Sequence, residues 1–210
     1  MLIKRLFGAF CGGLVCATML TAAYARAPDP VSHDSMKPTP SVNAAALIVD
    51  DDATVGHGAK VMVVFVDHGS PEIRKQVLDL LAFSDRHPEW IVDIKETPVL
   101  NPLSITTAEA EEAVIHQQNP EQWRQFEVWL DNQKNSNITK EGLRNAAKKS
   151  GVSMPDYDSF IADHHALSLP SMNRSLIEAT KLHKMPVFFV NDKVVVGTQS
   201  TQDLEVITLK

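Results

Sequence analysis

The sequence predicts an α/β protein in which a block of helices interrupts a small sheet. Three observations predict this class. An apolar run at 61–66, rich in β-branched residues, precedes a helical pattern and a second strand pattern at 90–94. Helical patterns alone then follow until two short strand patterns appear at 187–190 and 193–196. The order is therefore β-α-β, a helical block, and α-β-β-α.

Length and composition fit a folded chain that does not bind nucleic acid. The protein has 210 residues, of which 44% are hydrophobic and 22% charged, close to the average of globular domains. Its formal charge is −6 and its basic residues form no run. A nucleic-acid partner is therefore not expected.

Residues 1–27 have the pattern of an export signal. Lys4 and Arg5 precede an apolar stretch at 6–20, and Ala25-Arg26-Ala27 supplies the small residues of a cleavage site. The alternative is an uncleaved anchor, but the apolar stretch is short for a span of about 20 residues. We expect cleavage near Ala27 and no membrane span afterwards.

Cleavage would remove every thiol from the chain. Cys11 and Cys16 are its only cysteines, and both lie within the signal. Three basic residues and no acidic one are lost with them, so the formal charge changes from −6 to −9. The mature protein would then depend on its core, without disulfides, for its stability.

A proline-rich, irregular segment is predicted for residues 28–55. It contains Pro28, Pro30, Pro38 and Pro40 among polar residues. Residues 44–49 could add a short helix or strand, and three aspartates at 50–52 predict a turn.

The first half of the α/β unit is predicted at 56–97. The run at 61–66 is typical of a strand buried on both faces. Ser70-Pro71-Glu72 then has the features of a helix start, with a hydroxyl at the N-cap and proline at the first helical position. A parallel strand at 90–94 would complete a right-handed β-α-β unit.

The helical block is predicted at 98–170. Thr106 and Glu109 resemble a capping box, which predicts a helix from Thr106 to about residue 118. Further starts are expected at Asn119-Pro120, at Thr139 and at Met154-Pro155, the last helix running to His165.

The second half is predicted at 171–210, with a helix at 171–183, a hairpin turning at Asn191-Asp192 and a short final helix. This order of elements is that of a thioredoxin fold with an inserted helical domain.

Several segments resemble the DsbA-type periplasmic thiol–disulfide oxidoreductases, over roughly residues 55–197. They are the strand 61–66 with Asp67, the segment 97–104 leading into the helical block, and 184–191 followed by Gly197. The resemblance implies that the last segment carries a cis-proline loop at Pro186.

The redox motif of that family is missing. The resemblance places a C-P-x-C motif at the start of the first helix, where this chain has Ser70-Pro71-Glu72-Ile73. Thiol–disulfide exchange needs a thiolate and a second thiol to resolve the mixed disulfide. Ser70 and Ile73 therefore mark degenerate redox positions, and we expect no dithiol activity.

The remaining candidate residues point to binding. The resemblance implies that the residue before the cis-proline pairs with an extended peptide through its backbone. Met185, Pro186, His68 and Ser70 are the predicted peptide-binding residues, although Pro186 could equally serve the fold alone. Ser70 is interpreted as a helix cap rather than a nucleophile. No cofactor is expected, and adjacent histidines at 164–165 are a weak basis for a metal site, so none is predicted.

These observations favour an exported, periplasmic protein that lost redox activity and kept a surface for an extended peptide or an envelope protein. One alternative is an enzyme that uses the same pocket for glutathione-linked chemistry, with Ser70 as a hydrogen-bond donor. Another is a structural protein that assembles through residues 28–45. The oligomeric state does not follow from the sequence.

Overall fold

A five-stranded mixed sheet forms the centre of the computed structural model, which describes residues 43–48, 53–163, 165–191 and 193–209. All of them lie in the unit Pro38–Lys210. The predicted signal at 1–27 and the predicted turn at 50–52 fall outside the described residues. Within the described residues, no helix is both long and apolar enough to cross a membrane.

The sheet has the order β1-β3-β2-β4-β5. Strands β2 and β3 are parallel, and the other neighbouring pairs are antiparallel. The strands are β1 (Ala53–Val55), β2 (Lys60–Val66), β3 (Trp90–Glu96), β4 (Val187–Val190) and β5 (Lys193–Val196).

In the part of the chain that the structure describes, seven α-helices surround the sheet or form the insertion. They are α1 (Pro71–Arg86), α2 (Pro102–Ile115), α3 (Pro120–Asp131), α4 (Lys140–Lys149), α5 (Met154–Ala162), α6 (Ser168–Thr180) and α7 (Thr201–Thr208). Short 3-10 helices lie at Ala44–Leu47, Asn135–Asn137 and His165–Leu167.

The core lies where β2 meets its neighbours. Residues 62–66 of β2 are buried, and Phe65 packs edge-on against Phe189 of β4 with ring centroids 5.6 Å apart. Helix α1 contributes Val77 and Leu80, both fully buried, as the helical spacing predicts. The continuous apolar pattern of β2 is thus explained by burial on both faces.

Several element boundaries differ from the sequence-based expectation. β1 pairs antiparallel with β3 inside the segment predicted to be irregular. Helix α2 begins at Pro102, not Thr106, because Asn101 and Ser104 form the capping box. Helix α5 ends at Ala162 and α6 begins at Ser168, so the predicted boundaries at His165 and Ser171 were wrong.

Candidate functional site

The strand register brings the predicted peptide-binding residues to one end of the sheet. Phe65 of β2 pairs with Val187 of β4 in an antiparallel register. The residues that follow β2 and those that precede β4 therefore lie side by side. Asp67–Ser70 and Met185–Pro186 are these two segments.

Ser70 occupies the N-cap position of α1, with extended backbone angles of φ −109° and ψ 129°. Its side chain makes no capping hydrogen bond, so the predicted capping role of the hydroxyl was wrong. Ser70 is half-buried, whereas Ile73 is only 3% exposed and belongs to the core. The second degenerate redox position is thus a packing residue.

Met185 and Pro186 are joined by a cis peptide bond. Met185 is 8% exposed and Pro186 is buried. The carbonyl oxygen of Pro186 accepts a hydrogen bond of 2.8 Å from the backbone amide of Gly197. This bond fixes the start of the hairpin beside the end of β2.

The loop between β2 and α1 is fastened to the start of the insertion. The buried Asp67 carboxylate accepts hydrogen bonds from the backbone amides of Val99 (2.6 Å) and Leu100 (2.8 Å). Asn101 Nδ2 donates to the carbonyl oxygen of Gly69 at 3.3 Å. A Cβ atom at Gly69 would lie 2.3 Å from Ser104 Oγ, so this close approach requires glycine.

His68 lies in a different place from the one predicted for a peptide-binding residue. Its side chain is fully buried below the loop. Nδ1 lies 2.6 Å from Glu96 Oε2 and 3.0 Å from Glu111 Oε2. Nε2 lies 2.9 Å from Glu127 Oε2. Because both ring nitrogens contact buried glutamates, the His68 side chain is not available to bind a peptide.

The three glutamates come from three elements and are all buried. Glu96 ends β3, Glu111 lies in α2 and Glu127 lies in α3. We call this set with His68 the histidine–glutamate cluster. It joins the carboxyl ends of the parallel strands to the first two helices of the insertion.

Burial and the mutual repulsion of the carboxylates shift the pKa values of the cluster residues. Burial alone would lower the pKa of His68, but the charges of Glu111, Glu127 and Glu96 together raise it well above its ordinary value. Burial raises the pKa of Glu96 to about 8 and that of Glu127 to about 7, although the nearby His68 opposes both shifts. Without another cation, the cluster therefore retains protons near neutral pH.

Arg74 of α1 supplies a positive charge near the cluster. Its fully buried guanidinium group donates to the carbonyl oxygens of His68 (2.8 Å) and Gln133 (3.0 Å) and to Asn135 Oδ1 (2.9 Å). Its charge also acts on Glu127. Helix α1 is thereby tied to both the cluster and the insertion.

Sequence reasoning missed the three glutamates, although one signal was available. Trp123, Phe126 and Leu130 form the buried stripe of α3, and Glu127 falls among them. Glu111 is likewise buried between the alanines at 110 and 113. A glutamate on the apolar face of a helix needs a buried partner. That requirement would have singled out Glu111 and Glu127.

No protein-family model matches the sequence, and no curated protein matches it. Solved structures do resemble this one. The catalytic domain of Proteus mirabilis ScsC is similar with a TM-score of 0.67 and 18% identity, covering 79% of this chain and 91% of that one. The chain has the thioredoxin fold with an inserted helical domain.

Two further structures share this fold. The thiol-disulfide exchange protein alpha-DsbA2 from Wolbachia pipientis has a TM-score of 0.66 and 17% identity, over 75% of this chain and 85% of that one. A periplasmic thioredoxin-like protein from Salmonella enterica serovar Typhimurium has a TM-score of 0.63 and 20% identity, over 79% and 92%. The predicted resemblance to DsbA-like proteins is confirmed as a likeness of fold.

Proposed function

We propose that this chain is an exported, redox-inactive thioredoxin-fold protein that binds an extended segment of a peptide or partner protein. The observation that carries the proposal is the strand register, which sets Met185–Pro186 beside Asp67–Ser70. Backbone pairing at such a site needs main-chain groups and no thiol. The binding function can therefore persist where the redox function has gone.

The absence of thiols supports the redox part of the proposal. Residues 28–210 contain no cysteine. The two positions that would carry the dithiol hold Ser70 and Ile73, and Ile73 is packed in the core. Neither side chain can form or resolve a mixed disulfide.

Export rests on the signal pattern at 1–27 and on the fold. One structure with this fold is described as a periplasmic thioredoxin-like protein. A periplasmic location would bring the chain into contact with envelope proteins and unfolded segments.

An exposed apolar side chain lies next to the proposed binding residues. Leu100 is 46% exposed, and its backbone amide is held by Asp67 in the loop that leads to Ser70. Isolated exposed leucines are common. This one adjoins the segment proposed to pair with peptide, where an apolar contact would supplement main-chain hydrogen bonds.

Glutathione-linked chemistry at Ser70 is the alternative. Its hydroxyl makes no capping bond and stands at the start of α1. Activating a hydroxyl requires an oriented base. The nearest histidine in the chain, His68, is enclosed by three glutamates. The contacts around Ser70 therefore favour binding over catalysis.

Binding to an unfolded polypeptide tests the proposal. We expect labelled, carboxymethylated lactalbumin to bind the mature protein, with a rise in fluorescence anisotropy. Leu100→Asp should weaken this binding about fivefold or more, since it places a desolvated charge in the contact. Val128→Asp is the matched control, because Val128 is also 46% exposed but lies on α3.

Two results would contradict the proposal. One is no binding by the wild-type protein. The other is equal weakening by the two aspartate variants, which would show that the surface around Leu100 has no special role.

A further inference from the structure

The histidine–glutamate cluster brings together side chains of the types that bind metal ions. Three buried carboxylates face one imidazole. Nδ1 of His68 and one oxygen each of Glu96 and Glu111 lie within 4.8 Å of one another. The thioredoxin fold does not by itself require such a set of residues.

Each of these three residues is oriented by its other polar atom. Glu111 Oε1 accepts a hydrogen bond of 3.2 Å from Trp123 Nε1. Glu96 Oε1 accepts one of 3.4 Å from the backbone amide of His68. Nε2 of His68 lies 2.9 Å from Glu127 Oε2. The atoms left over are Nδ1 and the two Oε2 atoms, and these are the ones that converge.

One of the converging atoms, Glu111 Oε2, has no hydrogen bond of its own although it lies 3.0 Å from His68 Nδ1. Nδ1 can direct a single proton to one acceptor, and Glu96 Oε2 is the nearer at 2.6 Å. Among the described residues, Glu111 Oε2 accepts no hydrogen bond even though it is buried. An unsatisfied buried carboxylate oxygen is costly, and a cation between the three atoms would satisfy it.

We propose that His68 Nδ1, Glu96 Oε2 and Glu111 Oε2 bind a first-row divalent transition-metal ion. The full charges of Glu96 and Glu111 balance a dication. Glu127 then acts as the positioning residue that accepts the Nε2 proton of the ligating histidine, an arrangement typical of metal-bound imidazoles. Trp123 positions Glu111 by donating its indole N–H to Oε1.

The donor set favours zinc among the common ions. Imidazole with carboxylates suits Zn²⁺ and Mn²⁺, while Mg²⁺ prefers oxygen ligands alone. Ligands about 2.0–2.2 Å from Zn²⁺ lie about 3.3–3.6 Å apart in a tetrahedral site. Metal binding would therefore lengthen the 3.0 Å separation of His68 Nδ1 and Glu111 Oε2 by about 0.3 Å or more, and the 2.6 Å separation of His68 Nδ1 and Glu96 Oε2 by about 0.7 Å or more.

Zinc uptake by the tag-free mature protein tests the proposal. The protein is treated with a chelator, refolded with excess ZnCl₂ so that burial does not block entry, and desalted. We expect about one equivalent of tightly bound zinc by elemental analysis and a higher Tm than that of the metal-free protein. Zn²⁺ should bind more tightly than Mn²⁺, and MgCl₂ should give no shift.

Glu111→Gln is the decisive variant, because it keeps the shape of the side chain and its acceptor for Trp123. Zinc affinity should fall about tenfold or more, whereas the Tm of the metal-free variant should not decrease, since a buried charge has been removed. Glu109→Gln is the matched control: Glu109 lies in the same helix and pairs with Lys140 at 3.5 Å.

The proposal is overturned if the folded wild-type protein takes up no zinc. It is also overturned if Glu111→Gln binds as much zinc with the same affinity, because exposed histidines would then be responsible. Both results are independent of peptide binding, so this proposal and the proposed function can fail separately.

Discussion

Arg74 Nη1 donates a hydrogen bond of 2.8 Å to the carbonyl oxygen of His68. The same guanidinium group reaches Gln133 and Asn135 through Nη2. One planar cation thus joins α1, the loop that precedes it and the segment between α3 and α4. The hydrogen bond from Arg74 to His68 thus connects α1 to the histidine–glutamate cluster.

Replacing Arg74 should therefore cost stability. Lysine keeps the charge but cannot reach three acceptors with one planar fork. We expect Arg74→Lys to lower the free energy of unfolding by about 2–4 kcal/mol, measured by urea denaturation of residues 28–210. Arg124→Lys, at an exposed pair with Asp85, should cost about 1 kcal/mol or less. Equal losses in the two variants would contradict the role given to Arg74.

The two tryptophans of α3 allow a matched test of how Glu111 is positioned. Trp123→Phe removes the indole N–H that donates to Glu111 Oε1 while leaving an aromatic ring in the core. We expect zinc affinity to fall about tenfold. Trp129→Phe, at a half-buried position in the same helix, should leave zinc affinity unchanged. Competition with a colorimetric zinc chelator measures both, and an equal decrease would exclude a specific role for the indole.

The metal-free protein should lose stability as pH rises. Folding keeps protons on Glu96, whose pKa burial raises to about 8, and on Glu127, whose pKa is about 7, whereas both release them near 4.5 when unfolded. The raised pKa of His68 acts in the same direction, and the charges of Glu111 and Asp67 strengthen the trend. The folded state binds more protons across this window, so the free energy of unfolding decreases with pH.

Urea denaturation with a chelator present, at about pH 6 and about pH 8.5, measures this change. Glu96→Gln should reduce the slope, because it removes one of the groups that titrate. A stability that rises over the same interval would contradict the assignment of retained protons to the cluster.

Restoring the dithiol tests the alignment of residues 70–73. Ser70 and Ile73 lie three residues apart in the first turn of α1. The helix N-terminus lowers the pKa of a thiol there. The double variant Ser70→Cys/Ile73→Cys should form an internal disulfide and show weak thiol oxidase activity. Ser70→Cys alone should accumulate mixed disulfides.

The negative charge of Glu72 beside the new thiolate opposes the helix dipole, so the restored pair should be a modest oxidant. Mass spectrometry before and after alkylation follows the disulfide. Two thiols that react independently with maleimide would show that these positions do not correspond to the redox motif.

The sequence predicted elements with strong local signals. The buried strand β2, the proline start of α3 and the Thr139 cap of α4 all agree with the structure. It missed β1, a strand of three residues whose partner among the described residues is β3, so no apolar pattern marks it. It misplaced the start of α2 because Thr106 and Glu109 match the capping-box pattern, whereas the box in the structure is formed by Asn101 and Ser104.

The candidate site was predicted only in part. Ser70 and Met185–Pro186 were predicted from the resemblance of their segments to DsbA-type proteins, and the strand register places these two segments side by side. The partners of His68 lie 28 and 59 positions away in Glu96 and Glu127, and contacts over such distances depend on how the insertion docks. The sequence around a histidine that follows a strand does not show whether its side chain is buried or exposed. His68 was therefore expected at the surface.

The spread of the cluster along the chain also sets an order of assembly. His68 and Glu96 belong to the first β-α-β unit, whereas Glu111 and Glu127 arrive with the insertion. During synthesis from the N-terminus, that unit is complete while its histidine has one carboxylate neighbour. The remaining ligand and the positioning glutamate reach it only when α2 and α3 dock. A cation held there would therefore require that α2 and α3 have docked on the first β-α-β unit, and metal content would measure the fraction of chains in which they have done so.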